Sequence, residues 1–488
     1  MLAKLIMRPA LPEGKALEKL KHVLVVLPAG RSLPAGCPGQ VLLAATLKRR
    51  DKKAASLGEA PVVASSPGGA LWVWCMLDLQ KPCFEQQVLL RKALKILLDE
   101  QPARVDALLA GDDVFAEVAA GLVAYVGLAN GAPLPTQKKK DAPTPLRQLA
   151  LWGGQPRATA PVLAEASLLA RSLIAQSPNR LTPGAYRQQV AALAREQGWR
   201  LEEYGIDKLR ELGAGAFLAV AQGSAVKDAA IVRLSYAPKK ARQSLALVGK
   251  GICFDTGGHN LKSAKYMAGM HEDMAGSAVA LGILLAATRL ELPVRIDAWL
   301  ALATNEISPQ AYRQGDIVTA LNGTTIEIVH TDAEGRMVLA DTLALAVRKE
   351  PDLVIDFATL TGSMIAALGT RYGGVFASDE PLATLAVAAG TASGERVCAF
   401  PMDADYEEEL DSKVADIKQC TLEGEADHIL AARFLKRFVG ETPWLHVDLA
   451  AASCKGGLGA IASEQTGFGV AWGLEFLAKW LESGNKSR

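Results

Sequence analysis

The chain lacks the features that mark secreted and membrane proteins. Its seven cysteines form no C-x-x-C pair, so neither a disulfide framework nor a zinc–thiolate site is expected, and a reducing compartment fits better. Residues 1–9 hold no long apolar core before Arg8, which argues against a signal peptide. The longest apolar stretches, such as residues 278–288, are too short to cross a bilayer. We therefore expect a soluble cytoplasmic protein without a membrane partner.

Neither sign of charge is in excess. The chain has 53 Lys and Arg residues against 52 Asp and Glu residues, for a net charge of +1. An extended basic footprint for nucleic acid therefore has no support, although this balance does not exclude such a partner. The 488 residues are 50% hydrophobic, and a chain this long is expected to form two or more domains.

Motifs of several hydrolase classes are also missing. No H-E-x-x-H occurs, which excludes a zincin-type site. No G-x-S-x-G occurs, and no cysteine has a recognisable nucleophile context. Covalent catalysis is therefore disfavoured.

The pattern of apolar residues predicts an α/β fold. Residues 1–130 alternate strand-like and helix-like runs and predict a small N-terminal α/β domain, while residues 131–160, with several prolines and glycines and a lysine run, predict a linker. Residues 161–488 predict a larger α/β catalytic domain with a mixed central sheet flanked by helices. The predicted strands are 22–28, 71–76, 244–248, 295–304, 353–358 and 444–449; the predicted helices are 41–48, 86–100, 162–176, 182–197, 273–290 and 337–348; a hairpin turn is predicted at 322–323.

Two polar clusters lie near the ends of predicted strands, where open α/β sheets build their sites. Residues 330–336 (HTDAEGR) place Asp332 and Glu334 two positions apart. Carboxylates this close repel each other unless a cation lies between them. The upstream cluster contains Lys250, Asp255, Lys262 and Asp273. Because paired cations can activate water and polarise a carbonyl, the acids predict a metal-centred hydrolytic site.

Other interpretations of these residues stay open. The carboxylates could be surface acids paired with nearby bases, although they lie among glycines and apolar strands. Lys250 could be a neutral nitrogen ligand or could pair with Asp255. Lys262 and Arg336 could stabilise an oxyanion or lie on the surface. Among the histidines, His446 is expected in the core. Three others, His259, His271 and His330, could bind a metal or could donate a hydrogen bond to a metal ligand.

These residues resemble the leucyl aminopeptidase, or cytosol aminopeptidase, family. The resemblance covers the second domain, and T-D-A-E-G-R followed by L-A-D at residues 339–341 is highly specific for that family. The N-terminal domain agrees in size and placement only. The resemblance implies a metal-dependent aminopeptidase that hydrolyses N-terminal residues from peptides, with a Leu-like preference, by means of a water activated by two metals.

The resemblance also implies a role for each site residue. The tighter metal would be held by Lys250, Asp255, Asp273 and Glu334, and the more exchangeable one by Asp255, Asp332 and Glu334. Lys262 would stabilise the gem-diolate intermediate, and Arg336 would hold a bicarbonate that relays the proton of the attacking water. The pocket for the first side chain would be lined by Met270, Thr359, Gly362 and Ala450.

The resemblance also implies cofactors and an assembly. Two divalent metal ions per subunit are expected, Mn²⁺ or Zn²⁺, with Mg²⁺ and Co²⁺ as further candidates. Substrates would be peptides with a free N-terminus, because the amine would bind a metal. The catalytic domains would assemble as a homo-hexamer.

The chain departs from the family pattern near the predicted site. His330 stands where Asn is usual, His271 where Lys or Arg is common, and Ser453 where a larger apolar residue is frequent. Residues 427–430 (DHIL) replace a segment of small residues. An acid and an imidazole added near the cavity suggest a preference for a polar or basic first residue.

Two alternative functions remain. The first alternative is not an enzyme but a non-catalytic scaffold or a DNA-binding protein. Some members of the family bind DNA, but no basic arm or recognition helix is visible here. A metallophosphoesterase would be expected to carry histidine-rich ligand sets, which the sequence lacks.

Overall fold

A computed structural model describes residues 2–486, and the chain forms two compact α/β units. The first unit contains the residues up to Leu168 together with Thr391–Glu395 and Cys454–Thr466. The second contains Leu169–Gly390, Arg396–Ser453 and the residues from Gly467 onward.

The first unit is built on a six-stranded sheet with the order β1-β6-β5-β2-β4-β3 in the described part of the chain. A short 3₁₀ helix covers Ala54–Gly58, and α5 extends into the second unit. The elements are β1 (Lys4–Arg8), α1 (Gly14–Glu18), β2 (His22–Pro28), α2 (Gln40–Arg49), β3 (Val62–Ser65), β4 (Leu71–Leu77), α3 (Cys83–Leu98), β5 (Arg104–Leu109), α4 (Asp113–Gly131), β6 (Gln148–Trp152) and α5 (Thr159–Ile174).

Two features of this unit differ from the sequence predictions. Within the predicted linker, β6 pairs in parallel with both β1 and β5. Its residues 149–151 are buried, so these apolar side chains stabilise the sheet. Helix α4 is long and apolar enough to cross a membrane by length and composition, yet 67% of its most apolar window is buried inside the structure. This burial is typical of a core helix in a folded unit.

The second unit carries an eight-stranded mixed sheet and a separate three-stranded one in the described residues. Short 3₁₀ helices cover Met270–Glu272 and Ala404–Leu410, and the last residues of α13 belong to the first unit. The elements are α6 (Pro183–Gln197), β7 (Arg200–Gly205), α7 (Ile206–Leu212), α8 (Gly215–Ala221), β8 (Ala230–Tyr236), β9 (Gln243–Asp255), α9 (Ala264–Met267), α10 (Ala275–Arg289), β10 (Val294–Asn305), β11 (Ile317–Thr319), β12 (Thr325–Glu327), α11 (Glu334–Val347), β13 (Leu353–Ala358), α12 (Gly362–Leu368), β14 (Gly373–Ala377), α13 (Glu380–Ser393), β15 (Val397–Ala399), β16 (Ile417–Lys418), α14 (Asp427–Lys436), β17 (Trp444–Asp448) and α15 (Val470–Lys486).

Strand β9 lies at the centre of the large sheet, whose order is β15-β14-β17-β13-β9-β10-β8-β7. It pairs in parallel with β10 and with β13, and β13 pairs in parallel with β17. Residues 245–253 of β9 are all buried, as expected for a strand covered on both faces. The carboxyl ends of four parallel strands therefore meet at one edge, where α/β sheets place their sites.

The predicted elements are confirmed by the structure, including the mixed sheet. Each predicted strand and helix has a counterpart whose ends differ by at most three residues, with one exception: β9 continues seven residues beyond its predicted end at 248 and so includes Lys250 and Asp255. The predicted hairpin is formed by β11 and β12, with Gly323 at a φ of 92°. This agreement shows that the local periodicity and the turn residues specify these elements.

Two glycines allow α10 to lie directly on the sheet. A Cβ added at Gly276 would lie 2.0 Å from the carbonyl oxygen of Phe357, and one added at Gly249 would lie 2.4 Å from the Cα of Ser277. Both neighbouring groups are backbone atoms, which cannot rotate away. This close approach places the start of α10 against β9 and β13, beside two of the predicted metal ligands.

Replacing Gly276 with Ala should therefore destabilise the second unit by about 3 kcal/mol, at the upper end of the usual cost of overpacking. Thermal and urea unfolding measure this change. Gly121→Ala is the matched control, since Gly121 also lies in a helix but has no atom within 4 Å of an added Cβ. That control should be neutral or slightly more stable. Equal stability of the two variants would contradict the close packing.

Candidate active site

The predicted site residues converge at the carboxyl edge of the large sheet. Lys250 and Asp255 lie on β9, and Asp273 lies just before α10. Asp332 belongs to the loop before α11, and Glu334 is the first residue of that helix. These elements are neighbours in the sheet or pack against it, so residues that are distant in sequence meet in space.

The carboxylates of Asp255, Asp273 and Glu334 form a buried cluster. One oxygen from each lies within 4.8 Å of the others. Their side chains are between 2% and 6% exposed. Buried charges at this separation repel strongly and require positive charge nearby.

Two lysines provide part of that positive charge. Lys250 Nζ lies 2.8 Å from Asp273 Oδ2 and 2.8 Å from Glu334 Oε1. Lys262 Nζ lies 2.9 Å from Asp255 Oδ2 and 2.5 Å from Asp332 Oδ1. The expected alternative of a Lys250–Asp255 pair is corrected here, because the side chain of Lys262 reaches Asp255 instead. Four carboxylates against two ammonium groups leave a formal charge of −2.

Hydrogen bonds hold the acids in place. Asp255 Oδ1 accepts from the backbone N–H of Gly257 at 2.8 Å and from the side-chain amide of Asn305 at 2.9 Å. Asp273 Oδ1 accepts from the Thr359 hydroxyl at 2.7 Å. By contrast, Asp273 Oδ2 and Asp332 Oδ1 are buried, and the partner of each is a lysine ammonium group.

Gly335 makes room for the lysine that crosses the cluster. A Cβ at this position would lie 2.6 Å from Lys250 Cε and 2.7 Å from Lys250 Nζ. Lys250 Nζ also donates to the carbonyl oxygen of Thr359 at 3.1 Å. The T-D-A-E-G-R motif therefore requires glycine at position 335, because a side chain there would collide with Lys250.

Burial dominates the titration of the acids in this protein without metal. Burial and the neighbouring carboxylates, opposed by Lys250, raise the pKa of Asp273 to about 8. Burial, with Glu334 and Asp255, raises the pKa of Asp332 to about 7 against the effect of Lys262. In both acids, burial and the neighbouring carboxylates outweigh the lysine that pairs with the acid.

Arg336 lies in a second polar group beside the cluster. Its side chain is 3% exposed, and one guanidinium nitrogen, Nη2, donates to both carboxylate oxygens of Asp427 at 2.8 Å. The other, Nη1, donates to the carbonyl oxygen of Gln419 at 2.9 Å. Arg336 is thus a buried partner of Asp427 and not a surface residue.

A cavity of about 460 Å³ joins these groups. All seven predicted metal and catalytic residues line it, and so do the four residues predicted for the first side-chain pocket, Met270, Thr359, Gly362 and Ala450. Asp427 and His330 also line the cavity. The arrangement can bind cations and can present positive charge to a bound carbonyl or carboxylate group.

The histidines near the clusters have different positions. His330 lines the cavity, and its Nδ1 accepts from the backbone N–H of Asp332 at 3.2 Å. Burial lowers the pKa of His330, the charges of Lys262 and Arg336 act in the same direction, and Asp427 acts against them. His428 bonds to the Ser363 hydroxyl at 3.0 Å and packs edge-on against Phe400. His446 is buried in the core, as expected, and pairs with Asp356.

The sequence predictions did not include two residues of the site. Asn305, the last residue of β10, holds Asp255 and the carbonyl oxygen of Thr331. Asp427 was considered only as a departure from a family pattern, not as the partner of Arg336. The position of Asn305 at a strand end beside β9 is a signal that could have identified it; no local signal connects Asp427 with Arg336.

The protein without metal should lose stability as pH rises from about 4 to about 8. The folded form keeps protons on Asp273 and Asp332 through this window, whereas the unfolded chain releases them near pH 4, so the folded state is favoured at the acidic end. Urea unfolding of chelated protein at pH 5 and pH 8 measures the effect. In the Asp273→Asn variant, the free energy of unfolding should fall less between pH 5 and pH 8. If it falls by the same amount as in the unaltered protein, the raised pKa of Asp273 would be contradicted.

The comparisons with known proteins agree with this geometry. A protein-family model described as "Cytosol aminopeptidase family, catalytic domain" matches residues 168–472. A probable cytosol aminopeptidase from Bradyrhizobium sp. is 40% identical over 312 residues, which cover 64% of this chain and 61% of the relative. A protein of the same name from Methylorubrum extorquens is 40% identical over 349 residues, which cover 70% of this chain and 69% of the relative. The match to the Bradyrhizobium protein thus spans less than two thirds of its length.

A solved structure supports the same assignment over almost the whole chain. The bottromycin maturation enzyme BotP in complex with Mn is 32% identical, with a TM-score of 0.82, and the match covers 94% of this chain and 99% of BotP. The family match includes every cluster residue described above. By sequence and by structure, this chain belongs to the cytosol aminopeptidase family.

Proposed function

We propose that this protein is a two-metal aminopeptidase that releases N-terminal residues from peptides. The observation that carries the proposal is the buried cluster of Asp255, Asp273 and Glu334, whose oxygens lie within 4.8 Å of one another in a cavity wall. Family membership supports peptide hydrolysis as the reaction.

The residues fit divalent cations on two grounds. The cluster has a formal charge of −2 after both lysines are counted, and two of its buried oxygens are partnered by positively charged lysine groups rather than by neutral hydrogen-bond donors. Carboxylate oxygens and one amine nitrogen are donors that Mn²⁺ and Zn²⁺ accept. We assign Lys250, Asp255, Asp273 and Glu334 to one ion and Asp255, Asp332 and Glu334 to the other; Mg²⁺ and Co²⁺ remain candidates. Bound cations of this kind supply an activated water and polarise a carbonyl group.

The chain's own residues then perform three tasks. Lys262, whose ammonium lies beside Asp255 and Asp332, provides positive charge where an oxyanion develops. Arg336 adds a second, buried positive charge beside the cluster. The first side chain of the peptide is accommodated at Met270, Thr359, Gly362 and Ala450, which gives a mainly apolar pocket and favours a Leu-like residue.

The predicted preference for a basic first residue gains no support. Both oxygens of Asp427 accept hydrogen bonds from Arg336, which offsets its charge. The His428 ring is engaged by Ser363 and Phe400. A homo-hexamer, a cytoplasmic location and the requirement for a free N-terminus remain part of the proposal, and the free state of all the cysteines in the described residues is consistent with a reducing compartment.

The proposed activity is tested by elemental analysis of the purified protein together with a leucine-anilide assay before and after chelation. We expect about two metal ions per chain, activity that chelation abolishes, and recovery when Mn²⁺ or Zn²⁺ is returned. Activity that persists without metal would refute the proposal.

Glu334→Ala should remove activity and metal retention together. Glu334 is assigned to both ions, and its loss also leaves Lys250 with one carboxylate partner fewer. Elemental analysis and the anilide assay on the same sample measure both effects. Full metal content with normal turnover would show that Glu334 is not shared by the two ions.

Lys262→Ala should cost about 2.7–4 kcal/mol of transition-state stabilisation if the ammonium acts as an oxyanion donor. The measurement is kcat per bound metal. Lys208→Ala is the control, because Lys208 is an exposed residue of the same unit that pairs with Glu211. A drop in metal content with unchanged turnover per metal would assign Lys262 a role in metal retention instead.

A further inference from the structure

The carboxylate of Asp427 is bound to Arg336, and both residues line the cavity. It accepts two hydrogen bonds of 2.8 Å from Nη2, and its side chain remains 22% exposed. A carboxylate has about four lone-pair positions, so two bonds from arginine leave it able to accept a proton. A free planar anion such as bicarbonate also binds arginine through two oxygens, and here both oxygens of Asp427 are bound to Nη2.

Asp427 differs from the other carboxylates that line the cavity. Asp255, Asp273, Asp332 and Glu334 belong to the cluster. Asp448 is 1% exposed and is held by the Leu360 N–H and the Thr361 hydroxyl. Among the described residues that line the cavity, Asp427 therefore has a carboxylate that lies outside the cluster and is still accessible to a molecule in the cavity.

The position of Asp427 is set by the fold. It is the first residue of α14, whose next residues, including Ile429 and Leu430, are buried in the core of the unit. The preceding Ala426 has a φ of 51°, a left-handed conformation that costs a non-glycine residue about 1–2 kcal/mol. Core packing therefore holds Asp427 against Arg336.

We propose that Asp427 is the proton-accepting carboxylate of this site and replaces a free anion on Arg336. This inference rests on the proposed aminopeptidase function. As water attacks the peptide carbonyl, an O–H bond breaks, the proton passes to a carboxylate oxygen of Asp427, and the new C–O bond forms. As the C–N bond breaks, Asp427 returns that proton to the leaving nitrogen and is again a carboxylate. The bicarbonate expected at Arg336 is then not required.

The first test measures binding and does not depend on turnover. ¹³C-labelled bicarbonate is titrated into the purified full-length protein in carbon dioxide-free buffer and observed by NMR. Asp427→Ala, which exposes the Arg336 guanidinium, should bind bicarbonate at least about tenfold more tightly than the unaltered protein. Equal affinity of the two proteins would overturn the replacement.

The second test measures turnover of leucine anilide with and without added bicarbonate. The unaltered protein should be insensitive to bicarbonate. Asp427→Ala should lose about 10²–10⁴-fold in rate, as expected for a lost acid–base group, and should partly recover when bicarbonate is added. Asp427→Asn, which keeps the size and one acceptor oxygen, should lose the same activity without recovery.

The remaining outcomes separate the possible failures. Normal turnover in Asp427→Asn would show that Asp427 is only a structural partner of Arg336, and stimulation of the unaltered protein by bicarbonate would show that a free anion is used; either result overturns the proposal. Glu425→Ala, which removes an exposed carboxylate two residues earlier, should change neither binding nor rate. An unaltered protein that is inactive with every metal would refute the aminopeptidase function itself, and the proton transfer with it.

Discussion

The arrangement of this site depends on an imbalance of charge in a buried place. Four carboxylates meet two lysine ammonium groups, and each lysine bridges two acids. Burial makes the remaining negative charge costly, which is visible in the raised pKa of Asp273 and Asp332. Protonation relieves this cost in the protein without metal, and divalent cations would relieve it more completely. The same imbalance thus connects metal binding, stability and the proposed chemistry.

The sheet supports this charged cluster by backbone contacts that leave no room for side chains. Helix α10 touches β9 and β13 through Gly249 and Gly276, and Gly335 at the start of α11 accommodates Lys250. Buried ion pairs stabilise a structure only when the distances between the charged groups are accurate, because a displaced partner no longer offsets the cost of burial. Glycines at the contacts fix the distances between elements, while the hydrogen bonds from Asn305 and Thr359 fix the orientation of the acids.

The pair of Arg336 and Asp427 gives the cavity two distinct polar regions. The cluster carries net negative charge and suits cations, whereas the pair is neutral overall and is assigned to proton transfer in the proposed mechanism. Both regions border the apolar positions assigned to the first side chain. In the proposed mechanism, a peptide bound between them has its carbonyl near Lys262 and its scissile nitrogen near the carboxyl group of Asp427.

The sequence by itself determined the secondary structure, the α/β class and the identity of the polar clusters that form the candidate site. Apolar periodicity and turn residues are local properties, so β9, β13, α10 and the hairpin at residues 322–323 could be read directly. The T-D-A-E-G-R motif also acts locally, since its acids and glycine are neighbours along the chain. The family resemblance that it carried is confirmed by the match over residues 168–472.

Only the tertiary structure decided which charged groups are partners. Lys262, not Lys250, pairs with Asp255, and Arg336 pairs with Asp427, 91 residues away. The prediction of a linker likewise missed strand β6. This strand is stabilised by pairing with β1 and β5, which lie elsewhere in the chain. Ion pairs and sheet pairings are contacts between distant segments, and their free energy depends on burial and distance, which local sequence spacing does not specify.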